Sequence, residues 1–211
     1  ASACSGVSGA QEEGGKLRIT ATTSMITDAV RVIGGDHVDV TGLMKEEVDP
    51  HAYTPTQGDI QRLEQADLIL YNGLFLEAQM GDVLAQMANA KPVVAVGEQL
   101  DPSMLIDGDI ENGEVYDPHI WFDVSLWMQV VEVIRDELIE HDPDHAADYQ
   151  DYAAQYLEEL SKLDRFARER IAEIPEESRY LVTAHDAFGY FGQAYGMEVV
   201  GLQGISTASE A

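Results

Sequence analysis

From Leu17 onward the chain alternates short apolar runs with amphipathic segments. LRITAT (17–22) reads as a strand. Thr22-Thr23-Ser24 offers cap hydroxyls for a helix over about 25–33, which Gly34-Gly35 closes. HVDVTGLM (37–44) is a second strand, and a short helix follows at about 57–65. DLILYNG (67–73) is continuously apolar, as a strand buried on both faces should be. A Met-rich helix over 75–88 and a strand PVVAVG (92–97) complete the pattern. Strands alternating with helices predict βαβ units and a parallel sheet, so the fold class is α/β.

Residues 98–118 are acidic and irregular, and a helix is predicted from about Val124 to Glu140. Asp142-Pro143 restarts the chain, with Asp142 placed as N-cap and Pro143 at the first helical position. No Gly or Pro then occurs until Pro175. Tyr149, Tyr152, Tyr156, Leu160, Leu163, Ala167, Ile171 and Ile174 keep three- and four-residue spacing. This predicts one helix of about 30 residues, roughly 45 Å long, a rigid strut between two lobes. RYLVTA (179–184), AFGYFGQAYG (187–196) and MEVVGL (197–202) read as strand, helix and strand. Two strands and one helix do not close a core, so the second lobe reads as truncated. The expected organisation is a tether at 1–16, an N-terminal lobe at 17–141, a linking helix at 142–174 and the start of a C-terminal lobe at 175–211.

Charge narrows the function classes. Against 39 acidic residues stand 12 basic ones, a net of -27. Nucleic acid is excluded as a partner, because phosphates need a basic footprint. The acids are spread along the whole chain, which favours a solvated acidic surface over a cation-attracting field. No apolar run approaches the ~18–20 residues of a membrane span. Cys4 is the only cysteine, so no internal disulfide forms. Its setting, ASACSG followed by a Ser/Gly/Gln/Glu-rich stretch to Lys16, resembles the end of a bacterial lipoprotein signal, with Cys4 as the lipidated residue.

The candidate chemistry lies in three of the six histidines. His51 and His119 each follow Asp-Pro, in DPHAYTP (49–55) and DPHIWFD (117–123). Proline fixes its own φ and keeps the preceding residue out of the helical region, so both histidines sit on stiffened backbone. Asp49 and Asp117 are placed to accept hydrogen bonds that orient the loop or a ring nitrogen. His185 follows the strand at 179–184. All three therefore fall on loops at the carboxyl ends of strands, where open α/β sheets bind ligands. Neutral imidazoles suit zinc and other first-row transition metals. With unperturbed imidazole pKa values of ~6.5, binding should weaken near pH 5–6. His37, His141 and His145 read as ordinary.

Catalytic signatures are missing: there is no H-E-x-x-H, no G-x-S-x-G and no P-loop. The chain is accordingly read as a non-enzyme. A zinc hydrolase with three histidine ligands and an open position for water stands as an alternative.

Five segments carry a family resemblance: DPHAYTPTQGD (49–59), ADLILYNGLFLE (66–77), DPHIWFDV (117–124), LVTAHDAFGYFGQAYGMEV (181–199) and GLQGISTASEA (201–211). Together they resemble the metal-binding lipoproteins of bacterial ABC importers, the ZnuA/TroA/PsaA family of zinc-type solute-binding proteins, with the last two nearest the TroA type. The resemblance implies two α/β lobes joined by one long helix and a metal in the cleft between them. It implies His51 and His119 as ligands from the first lobe and His185 from the second, where manganese-type members often carry Glu. A fourth ligand, a carboxylate, is expected beyond residue 211, and no ligand role passes to Glu210. It also implies lipid attachment at Cys4, a position outside the cytoplasm, delivery to a membrane permease, and Zn(II) or Mn(II) as the transported ligand. Some relatives carry adhesin names, which leaves a surface adhesin as a further alternative. Three imidazoles plus a carboxylate suit zinc, although the 98–118 loop lacks the His-rich tract of many zinc-specific members.

Overall fold

The structure is a computed structural model that describes residues 15–108 and 115–205. Four strands form its main sheet: β1 (Leu17–Ala21), β2 (Val38–Gly42), β3 (Leu68–Tyr71) and β4 (Val93–Ala95). All pair in parallel, in the order β2-β1-β3-β4. Ile19 of β1 stands between Val40 and Leu68. Leu70 of β3 pairs with Val94.

The central strands alternate between two cores. Leu68 and Leu70 face one core, with Ile26, Val30 and Ile33 of helix α1 (Ser24–Gly34) and Val130, Ile134 and Leu138 of α4 (Val124–His141). Ile69 faces the other, with Leu63 of α2 (Gln57–Gln65) and Leu84 and Met87 of α3 (Gly81–Ala88). Leu68, Ile69 and Leu70 are all fully buried, which explains the unbroken apolar run in the sequence.

Helix α2 has the bounds its sequence predicts because its start is locally encoded. The Thr56 hydroxyl accepts from the Asp59 backbone N–H, and the Asp59 carboxylate accepts from the Thr56 backbone N–H, a reciprocal capping box. The cap expected for α1 is not made. Thr23 is the N-cap, but its buried hydroxyl caps nothing and has no hydrogen-bond partner.

The helix expected over 75–88 starts later, at Gly81, after a 3-10 turn at Ala78–Met80. The delay has a physical cause. Gly73, Leu74 and Phe75 have φ of 76°, 54° and 70°, a left-handed run that no right-handed helix can include. The buried Glu77 carboxylate holds it, accepting from the backbone N–H groups of Asn72 and Gly73 and from the Thr22 hydroxyl.

The long helix α5 (Ala146–Ala172) has 27 residues, about 40 Å of rise. Pro143–His145 forms a separate 3-10 turn, so the regular helix is shorter than its apolar spacing predicts. Tyr149, Ala153 and Leu160 bury its first half in the core beside α1 and α4. Its second half carries the exposed Leu163 and Phe166 and reaches α6 (Gly189–Tyr195), where Arg168 donates to the Ala194 carbonyl. Strands β5 (Tyr180–Thr183) and β6 (Glu198–Gly201) pair in parallel as a second sheet. Helix α6 begins two residues later than its sequence predicts, because Ala187 turns back to the His185 carbonyl. It ends at Gly196 with φ 73°, the left-handed stop that glycine permits. Among the described residues no helix is long and apolar enough to cross a membrane.

Candidate metal centre

Both Asp-Pro-His segments fold into the same local device. Asp49 Oδ1 accepts the His51 backbone N–H at 3.0 Å, and Asp117 Oδ1 accepts the His119 backbone N–H at 2.9 Å. Each is an Asp side chain closing a turn onto the residue two positions on, with the proline between them stiffening it. His51 lies in the loop that follows β2, and His119 in the segment between β4 and α4. Both are 2% exposed.

The second loop is fixed more firmly. Asp117 Oδ1 also lies 2.7 Å from His119 Nδ1. A carboxylate accepts only, so Nδ1 carries the proton and Nε2 presents its lone pair. Buried Asn72, at the carboxyl end of β3, donates to the Pro118 carbonyl at 3.1 Å and so holds the loop from beneath. His185, directly after β5, has its Nδ1 3.0 Å from the Gly204 carbonyl, which frees its Nε2 in the same way.

The three rings converge. His51 Nε2 and His119 Nε2 are 3.2 Å apart, and His185 Nε2 and His119 Nε2 are 3.0 Å apart. One ligand atom from each of the three lies within 4.8 Å of the others. Two ligands on a tetrahedral zinc, at Zn–N of about 2.0–2.1 Å, stand about 3.3–3.4 Å apart, close to the separations seen. The donor set suits a borderline-soft divalent ion.

The electrostatics favour the neutral form of His51 and His185. Burial, reinforced by His119 and His185, pushes the His51 pKa down to about 4. Burial and the adjacent His119 also lower that of His185. Neutral imidazole is the ligating form. His51 Nδ1 is buried without a hydrogen-bond partner, so its tautomer is not fixed from behind as the other two are. Trp121 packs edge-on against the His119 ring, with centroids 5.3 Å apart.

The remaining histidines lie elsewhere. His37 and His145 stack at 3.9 Å near the start of α5, His37 bonded to Asp148 and His145 to Asp142. His141 pairs with Glu137 on α4. Among the described residues no carboxylate joins the three-histidine group. Cys4 and Glu210 fall outside the described residues. The supporting Asn72, Glu77 and Tyr190 were not anticipated: they act through contacts distant in sequence, which no local motif announces.

A parallel α/β sheet with three imidazoles gathered at the carboxyl ends of its strands and of the adjoining pair is a candidate metal site with donors suited to a borderline-soft divalent ion. The chain belongs to the family described as "Zinc-uptake complex component A periplasmic", whose model matches residues 19–211. It is 48% identical over 195 residues to the manganese-binding lipoprotein MntA of Bacillus subtilis, covering 92% of this chain and 63% of the relative. It is 47% identical over 197 residues to the zinc-binding protein TroA of Treponema pallidum, covering 93% of this chain and 63% of the relative. The chain thus spans about 63% of the length of these curated relatives. The solved structure of the periplasmic zinc binding protein TroA from Treponema pallidum superposes with a TM-score of 0.89, over 93% of this chain and 70% of that one, at 47% identity. The Fe(III)-bound YtgA structure from Chlamydia trachomatis gives a TM-score of 0.82 at 32% identity, over 90% and 70% of the two chains.

Proposed function

We propose that the whole protein is the extracytoplasmic solute-binding component of an ABC importer, capturing a divalent transition metal, zinc or manganese, and passing it to a membrane permease. The observation that carries this reading is the convergence of His51, His119 and His185 through their Nε2 atoms. Family membership supports binding in place of catalysis. Two relatives at nearly equal identity, a manganese-binding lipoprotein and a zinc-binding protein, support both metals as cargo. Three imidazole donors favour zinc. Under this reading Cys4 is the lipid anchor, the chain is organised as two lobes with a linking helix, and a carboxylate of the second lobe completes the ligand set.

The test is a titration of the intact protein with zinc and with manganese, beside a His51→Ala/His119→Ala variant. The reading expects one ion per chain in the wild type and a loss of at least ~100-fold in the variant, which lacks two ligands. Equal stoichiometry and affinity in both would overturn it. Element-resolved analysis of protein from its native host identifies the cargo.

A further inference from the structure

Helix α6 follows His185 in the chain, and its aromatic side chains reach the segment that carries His119. Tyr190 is 1% exposed, and its hydroxyl donates to the Asp117 carbonyl at 2.8 Å while accepting the Ile106 N–H at 3.1 Å. Five residues on, the Tyr195 hydroxyl accepts the Val124 N–H at 3.4 Å and donates to Asp164 of α5 at 3.2 Å. Just ahead of the helix, its N-cap residue Phe188 packs on Phe122 with ring centroids 4.2 Å apart. The three contacts fall at residues 117, 122 and 124, so they bracket His119 on both sides.

The helix approaches so closely that a Cβ at Gly189 would stand 3.0 Å from Asp117 Oδ2. Asp117 is the residue that fixes the His119 ring. Arg168 anchors the far side, lying over the Tyr195 ring at 5.2 Å and bonding both Asp164 and the Ala194 carbonyl. One short helix is therefore tied to α5, to the His119 segment and, through the three positions 186–188, to His185.

We infer that Tyr190 and Tyr195 are positioning residues, a clasp that sets the separation of His119 and His185 and thereby the rate at which metal leaves the site. The inference rests on the metal-binding reading above. Its physical basis is that the Tyr190 hydroxyl bonds to backbone of the ligand loop and the Tyr195 hydroxyl to the first backbone N–H of α4, where that loop ends. A Tyr→Phe change keeps the ring and the apolar contact but leaves the Ile106 N–H and the Asp117 carbonyl without their partner. The loop then gains freedom where the ligand distance is set. Groups that orient ligands from behind typically carry 10–100-fold in metal affinity.

The experiment compares wild type, Y190F, Y195F and Y149F in the intact protein. Tyr149 is the control: it is fully buried and its hydroxyl donates to Asp142 at 2.6 Å, away from the three histidines. Zinc dissociation is timed by chelator competition, and Co(II) replaces zinc to read ligand geometry from its d–d absorbance. The expected result is zinc loss roughly 10-fold faster or more in Y190F and Y195F, with a shifted Co(II) spectrum, while Y149F keeps the wild-type rate and spectrum. If Y190F does not fold, Y195F and Phe188→Leu report the same quantities. Wild-type rates and spectra in the clasp variants overturn the inference alone, as does equal acceleration in Y149F. A wild type that takes up neither zinc, manganese nor cobalt overturns the inference together with the reading beneath it.

Discussion

Asp117 holds His119 twice through one oxygen: Oδ1 accepts the His119 backbone N–H at 2.9 Å and faces its Nδ1 at 2.7 Å. Both residues are buried. Removing this carboxylate frees the loop and the ring together. Asp117→Ala should therefore lower zinc affinity about 10–100-fold with all three histidines intact, measured by competition with a chelator of known affinity. Unchanged affinity would show that the ring is held by packing alone.

The His51 pKa of about 4 moves the acid limit of the metal-free protein. An unfolded imidazole titrates near 6.5. Between these values the unfolded chain binds a proton at His51 that the folded chain refuses, so stability falls as pH falls through that window. His185 acts in the same direction, since its folded pKa is also lowered. At pH 6 and above most of this effect is absent. Metal retention should likewise persist to lower pH than the 5–6 that unperturbed imidazoles predict. Denaturant unfolding of chelator-treated protein at pH 4.5 and 7 checks the first statement, with His51→Ala flattening the dependence.

Glu77 anchors the left-handed turn at 73–75 through three accepted hydrogen bonds. Glu77→Ala leaves the buried donors of Asn72, Gly73 and Thr22 without an acceptor. At about 1–3 kcal/mol for each buried group left unmade, the loss should be on the order of 3 kcal/mol or more, read from the urea midpoint. Glu77→Gln keeps an acceptor and should recover part of it. A near-neutral Glu77→Ala would mean that water replaces the carboxylate.

A net charge of -27 repels itself. Raising KCl from ~0.1 M to ~1 M shortens the screening length from about 10 Å to about 3 Å, so the melting temperature should rise with salt. A flat response would show that the acids are too widely spaced to destabilise the fold.

The sequence carried more of the site than of its support. Two Asp-Pro-His copies announced a repeated backbone device because every part of it is local: the aspartate, the proline and the N–H two residues on. Helix α2 was legible for the same reason, since Thr56 and Asp59 cap it within four residues. The start of α3 was not, because Glu77 overrides a helical pattern through Thr22, more than fifty positions away. Tyr190 read simply as an aromatic in AFGYF. Its role depends on where the Asp117 carbonyl lies in space, and periodicity has no access to that.

The strand order β2-β1-β3-β4 puts β2 and β4 at opposite edges of the sheet. His51 comes from the loop after one edge and His119 from the segment after the other, and they meet 3.2 Å apart above the central strands. An ion between them would close a loop of 68 residues. Its effect on the chain would be that of a covalent bridge, across a stretch of 51–119 that holds no cysteine. Ligand and crosslink would then be the same atom, and removing it would release the tie between the two edge loops.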